Sequence, residues 1–218
     1  MANVYLHEVM DKWFFGAVVP RLRGRASLVR YCDDMVMVFA NEDDARRVLE
    51  VLPKRFGKYG LTLHPEKTRL VPFKRPIRKG GGKADGAGTF DFLGFCHHWG
   101  KSRNGNWVVK RKTSDNRFKR AVRAVTEWCR RNRHDKVRDQ RQTLRLKLRG
   151  HYGYYGITGN FAALSRFYRC VQDAWFKWLN EPTRPRTPYH VGAICFDTDT
   201  EPATTESGSL CLFSKTVS

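Results

Sequence analysis

Leu28-Val29-Arg30-Tyr31-Cys32-Asp33-Asp34-Met35-Val36-Met37-Val38-Phe39 is the stretch that decides how this chain is read. Two short runs rich in strand-forming residues flank Cys32-Asp33-Asp34. That pattern predicts a β-hairpin with acidic residues at its turn. Adjacent carboxylates in such a place admit two readings. One is a plain surface turn, because Asp suits turns. The other is a Mg²⁺ site, because Mg²⁺ is a hard cation usually held by a few carboxylates together with substrate phosphates.

Working outward from the hairpin, residues 3–15 are apolar-rich, with Trp13, Phe14 and Phe15, and read as the end of a helix whose partners are not evident in the chain. Residues 20–26 form a basic connector carrying Arg21, Arg23 and Arg25. Downstream, Asn41 is placed to cap a helix, and Glu42, Asp43 and Asp44 suit its first turn. Ala45, Val48, Leu49, Leu52 and Phe56 follow at helical spacing; Pro53 is a potential kink and Gly60 a stop. Residues 61–63 and 68–73 read as strands around a turn at residues 64–67. The Gly-rich residues 79–88 match no P-loop pattern and read as a flexible hairpin tip. Residues 90–95 read as one arm of a further hairpin and Trp107-Val108-Val109 as the other, across Asn104-Gly105-Asn106.

From Ser114 the hydrophobic period changes to that of helices. Phe118, Ala121, Val122, Val125, Trp128 and Cys129 fit one face. Leu144, Leu148, Tyr152 and Tyr155 fit a second helix, interrupted by glycines. Asn160 is placed to cap a third, lined by Leu164, Phe167, Tyr168, Val171, Trp175, Trp178 and Leu179. After Asn180, Pro, Thr and Ser become common, so residues 181–218 are expected to be a mostly disordered tail. The fold class expected is α+β: an antiparallel sheet with packing helices over residues 1–112, then an all-α three-helix domain over 113–180.

With 41 Lys plus Arg against 21 Asp plus Glu, the net charge of +20 calls for a polyanionic partner. Nucleic acid comes first and an anionic membrane surface second, because the basic residues are interleaved with aromatic ones. Lys110, Arg111, Lys112, Arg117, Lys119, Arg120, Arg123, Arg130, Arg131 and Arg133 form a dense cationic stretch, continued by Arg149. Such residues give affinity through phosphates without reading sequence; a merely solvated helix face is the alternative. Tyr152, Tyr154 and Tyr155 offer stacking surfaces or interhelical packing. No stretch reads as a membrane span or signal peptide, so an intracellular protein is expected. The six cysteines form no CxxC pair, which argues against zinc knuckles and disulfide frameworks.

"LVRYCDDMVMVF" resembles the YxDD motif of reverse transcriptases, with Cys32 in the place of a small residue. "GLTLHPEKTRLV" (60–71) and "FDFLGF" (90–95) resemble the next two motifs of that family, the second being the primer-grip region. "LRGHYGYYGITGNFAALSRFYRCVQDAWFKWLN" (148–180) resembles the thumb-like, maturase-specific domain of group II intron proteins. Four motifs thus occur in family order. The resemblance implies a partial polymerase palm followed by a thumb/maturase domain, with Mg²⁺ as cofactor, and a two-ion reaction in which a primer 3′-hydroxyl attacks and pyrophosphate leaves.

By resemblance, Asp33 is the metal-binding carboxylate and Asp34 its less directly ligating neighbour. Tyr31 lies near the template–primer duplex, and Phe92, Leu93 and Gly94 position the primer end, though Phe92 also suits core packing. Lys67 assists the leaving pyrophosphate or is a solvated turn residue. The implied partners are structured intron RNA, a template–primer duplex and dNTP, with no membrane; the implied location is the bacterial cytoplasm, in nucleoprotein. Family members carry fingers and another catalytic aspartate upstream of the matched region. The expectation is therefore a truncated copy, inactive alone unless a complementing polypeptide or second copy supplies that part. A non-catalytic RNA-binding module or degenerate remnant is the alternative.

Overall fold

Strand β2 (Asp34–Phe39) is covered on both faces, and the layers around it follow from that. The computed structural model describes residues 2–65, 67–76, 88–180 and 210–216. Within them it is an α+β protein that divides into two compact units, residues 1–110 with 205–218, and residues 111–204.

In the first unit, β1 (Ala26–Tyr31) pairs antiparallel with β2 from Ala26 opposite Phe39 to Tyr31 opposite Asp34. Alternation sends Met35, Met37 and Phe39 to one face and Val36 and Val38 to the other. The first set packs with Leu6, Met10, Phe14, Ala45, Val48, Leu52 and Phe56. These come from two helical segments. One begins as α1 (Ala2–Leu6), continues through π-helical turns at His7–Asp11 and Phe14–Val18, and closes in a 3₁₀ turn at Val19–Arg21. Its apolar residues thus find within the chain the partners that were not evident in the sequence. The other is α2 (Glu42–Gly57), capped by Asn41, whose side chain accepts a 2.9 Å hydrogen bond from the Asp43 amide. The helix runs through Pro53 and stops before Gly60, which takes a positive φ of 66°.

The opposite set of β2 side chains joins Val71, Phe73, Phe90 and Trp99, with Phe92 and Trp107 packed alongside. Phe73 and Trp99 stack at 5.3 Å. Val71 and Phe73 lie on β3 (Arg69–Phe73); the others belong to a second sheet of β4 (Phe90–Phe92), β5 (Phe95–Lys101) and β6 (Trp107–Thr113), in that order. This departs from the single hairpin read in the sequence. Residues 90–95 are not one arm: the chain reverses at Leu93-Gly94, with φ of 49° and 80°, and again around Gly105 at φ 76°. Of residues 61–63, read as a strand, Leu63 alone forms an isolated bridge. Gly88 donates to the Pro72 carbonyl at 3.1 Å, and a Cβ there would lie 2.2 Å from that oxygen, so only glycine fits. The remaining glycines at 80–82 and at 86 lie outside the described residues.

The larger sheet has the order β1-β2-β7-β3, where β7 is Leu210–Thr216. Of residues 181–218, expected from composition to be a mostly disordered tail, 181–209 and 217–218 lie outside the described residues, and 210–216 form β7, which pairs antiparallel with β2 and β3 at once. Short apolar runs lacking helical periodicity, such as Leu210 to Phe213, are compatible with a strand paired on both edges, a possibility that composition averaged over the whole tail conceals.

The second unit holds α3 (Asp115–Arg131), α4 (Val137–Tyr155) and α5 (Phe161–Leu179). Phe118, Val125, Cys129, Leu144, Leu148, Phe167, Val171, Trp175 and Leu179 form its core. α4 continues through Gly150 and Gly153 without a break. Two buried amides tie the helices: Gln140 accepts from the Trp175 indole at 3.0 Å and donates to the Asp135 carbonyl at 2.9 Å. Asn160 stands at the N-terminus of α5, as the sequence suggests, but its side chain makes no cap. It accepts from the Thr113 amide at 2.9 Å and donates to the Thr113 hydroxyl and the Tyr155 carbonyl, both at 2.8 Å.

Candidate functional site

The turn between β1 and β2 is two residues long, Cys32 and Asp33, and Cys32 takes φ 54°. A positive φ is uncommon outside glycine, so surrounding contacts must hold it. Arg30 does so. It forms a two-point pair with Asp11, Nε to Oδ1 at 2.9 Å and Nη2 to Oδ2 at 2.7 Å, and donates Nη1 to the Cys32 carbonyl at 3.0 Å. Planar, two-point pairing is the strongest geometry an arginine offers a carboxylate. Asn3 adds contacts to Arg30 at 3.3 Å and to the Cys32 sulfur at 3.8 Å. Asp11 is partly buried, which pushes its carboxyl up, but hydrogen bonds from Arg30 and His7 outweigh that and hold it below the usual carboxylate range. The same pairing raises the Arg30 guanidinium above its ordinary value. Arg30 and Asp11 also line a groove of about 360 Å³ with His7, Lys12, Phe15 and Leu28.

The side chains thus presented fall on two faces. Ala26, Leu28 and Arg30 turn toward the helical segments, and Ser27, Val29 and Tyr31 toward the other face, where they are exposed. Tyr31 is 62% and Val29 53% accessible. Asp34 stands opposite Tyr31 in the ladder and is half-buried, and Asp33 is exposed at the tip. Tyr31, Asp33 and Asp34 are therefore brought together. Phe92 packs against the cluster containing Val36 and Val38, while Leu93 and Gly94 form the reversal beside it. Lys67 is exposed in a turn whose amide donates to the His64 carbonyl at 3.2 Å.

Another acidic site in this unit has a different character. Asp44 is 1% accessible. It accepts from the Arg23 amide at 2.9 Å and the Gly24 amide at 3.0 Å, and pairs with Arg47. Burial pushes its carboxyl up, but these hydrogen bonds prevail and hold it below the usual range. It fixes the basic connector to α2, a role that the sequence reading, which used Asp44 only as a first-turn acid, missed.

Asp33 and Asp34 offer oxygen donors of the kind Mg²⁺ takes together with substrate phosphates. Among the described residues no group of three or more His, Cys, Asp or Glu side chains is arranged to hold a metal ion. Within the described residues the two turn carboxylates alone do not make up the ligands of a two-ion centre.

In the second unit the predicted basic residues separate into groups. Arg111, Lys112, Arg117, Arg120, Arg123 and Arg149 are exposed, and Lys110, in the first unit, is half-buried. Arg130 and Arg131 both bind Glu127, at 2.9 and 2.8 Å, so part of their charge is spent locally. Of the tyrosines, Tyr152 packs against the core and Tyr155 is half-buried near His151, their ring centroids 4.6 Å apart. Tyr154 is 55% accessible. The exposed tyrosine is thus Tyr154. Burial holds the His151 imidazole below its ordinary range, and its ring stacks on Phe167 at 3.9 Å. No helix of the described residues is long and apolar enough to cross a membrane.

Neither curated proteins nor solved structures gave a match. A family comparison did: residues 1–97 match the reverse transcriptase (RNA-dependent DNA polymerase) family. That segment contains both the Tyr31-Cys32-Asp33-Asp34 turn and the Phe92-Leu93-Gly94 reversal, and through it the chain is similar to the reverse transcriptases.

Proposed function

We propose that this chain is an RNA-binding protein of the group II intron reverse transcriptase/maturase kind. In this reading the first unit offers a palm-like face to a template–primer end, and the helices of the second grip structured intron RNA. The observation that carries the reading is the hairpin turn itself. It lies within a segment that matches reverse transcriptases, is locked by Arg30 and Asp11, and presents Tyr31 and Asp33 to solvent on an exposed strand face. Tyr31 and Val29 are suited to contact bases or sugars, and Phe92 to buttress the adjoining reversal. Arg117, Arg120 and Arg123, exposed along α3, are suited to phosphates, and Tyr154 to an unstacked base.

The donor set at the turn favours binding without catalysis by this chain alone. Mg²⁺, where a full ligand set is present, would supply charge stabilisation at the transferring phosphoryl group. Here the two turn carboxylates do not make that set, so polymerisation requires a further ligand from outside the described residues, for example from a second polypeptide. Primer extension on an RNA template with Mg²⁺, run beside Asp33→Ala, tests this. No extension by either protein, with RNA bound by both, is expected. Extension by the unaltered chain that Asp33→Ala abolishes would show that the site is complete.

A further inference from the structure

We infer that the outer edge of β1, with the groove beside it, is a docking site for an extended acidic segment of a partner protein, which adds to the sheet as a further strand. β1 is the end strand of its sheet: it pairs with β2 on one side and, among the described residues, with no strand on the other. The ladder fixes which of its backbone groups face outward. The Ala40 amide donates to the Arg25 carbonyl at 2.9 Å, one step beyond the pairing of Ala26 with Phe39. Hydrogen-bonded and non-bonded pairs alternate along an antiparallel ladder. Ser27, Val29 and Tyr31 therefore bond to β2, while Ala26, Leu28 and Arg30 turn their amides and carbonyls away from it. Such edges are usually guarded by proline, lysine, a bulge or a covering element. β1 has neither proline nor lysine, its register runs without a bulge, and its one arginine is taken up by Asp11.

The residues that offer their backbone also shape the groove. Leu28 and Arg30 line it from the strand, and Lys12 and Phe15 from the helical segment. Residues of an added strand that stand opposite Leu28 and Arg30 would point to the same face of the sheet, toward the groove. Phe15, 55% accessible, offers them apolar contact. The lining sets Lys12, Arg30 and the titratable His7 against Asp11 as its acid. Glu8 meets Lys12 at 2.7 Å, but both side chains are exposed, so water competes with that pair. With a net charge of +20 on the chain, the lining favours an acidic segment. The outward amides and carbonyls select polypeptide over nucleic acid, because an open edge recognises a partner through main-chain pairing. Val29 and Tyr31, suited above to RNA, lie on the opposite face of the strand, so the two surfaces are separate.

Titration of the isotope-labelled full chain with the peptide DTEVFVETD, followed by NMR without RNA, tests it. Amide signals of Leu28, Arg30, Lys12 and Phe15 are expected to shift saturably. Methylating the peptide's amide nitrogens at alternate residues should weaken binding on the order of tenfold in one phase and spare it in the other, since only one set faces the edge. Lys12→Glu and Phe15→Ala, both at the surface, should each weaken binding on the order of fivefold, and the basic peptide KTKVFVKTK should bind at least about tenfold less tightly than the acidic one. No saturable shift at Leu28 and Arg30, or equal binding of both methylated forms, overturns the inference. So do the same shifts produced by single-stranded RNA, which would make the edge a nucleic-acid contact, or by raising the chain concentration alone, which would assign it to a second copy.

Discussion

The two units place their charges in opposite ways. The first pairs Asp11 and Asp44, both at least partly buried, with arginine and, for Asp44, backbone amides, and leaves Asp33 outward. The second builds its interior from apolar and neutral polar side chains, Gln140 and Asn160 among them, and leaves arginine outward. Asp11 and Asp44 are thus structural while Asp33 is exposed at the turn, a difference that accessibility shows. The sequence string shows only Asp in every case.

If that division is right, the largest stability loss comes from the most buried acid. Asp44→Ala removes the acceptor of two backbone amides and an arginine, and should lower the unfolding free energy by about 3 kcal/mol in urea denaturation at pH 7. Its pH dependence sharpens the point. Both Asp44 and Asp11 titrate lower folded than unfolded. Their contribution is therefore complete above the unfolded carboxylate value near ~3.9 and disappears as pH falls through the lower folded values. The difference between the unaltered chain and Asp44→Ala should shrink below about pH 4, and a constant difference would contradict the assignment.

In the second unit Asn160→Ala leaves the buried Thr113 amide without its acceptor, and a loss of about 2 kcal/mol is expected by the same measurement. The tyrosines of α4 divide next. Tyr154→Ala should weaken single-stranded RNA binding by about 1 kcal/mol with stability unchanged, whereas Tyr152→Ala should lower stability with little direct effect on binding. Smallest is Asp33→Ala, expected to shift stability by less than about 0.5 kcal/mol because the side chain is exposed.

Much of this division was legible in the residues. The hairpin, the Asn41 cap and the three amphipathic helices follow from local periodicity and turn chemistry, which act over a few neighbouring residues. The reversal at Leu93-Gly94 was missed because Leu is an unusual residue at φ 49°, and only the tertiary setting holds it there. Asp44 was legible as a first-turn acid but not as the anchor of Arg23 and Gly24, because that contact joins residues about twenty apart. β7 escaped for the same reason on a larger scale: its pairing partners lie near the other end of the chain, where no local pattern points to them. At the turn the two adjacent carboxylates were legible, but not the Arg30–Asp11 pair that holds it.

The most direct test of the RNA-binding reading is the salt dependence of affinity for a structured RNA, for the unaltered chain, Asp33→Ala and the triple reversal Arg117→Glu/Arg120→Glu/Arg123→Glu. The slope of log affinity against log salt should be the same for the first two and shallower by roughly 2–3 for the triple variant, whose affinity at low salt should fall on the order of 100-fold. An unchanged slope in the triple variant, or a loss of binding in Asp33→Ala, would contradict the division of labour between the two units.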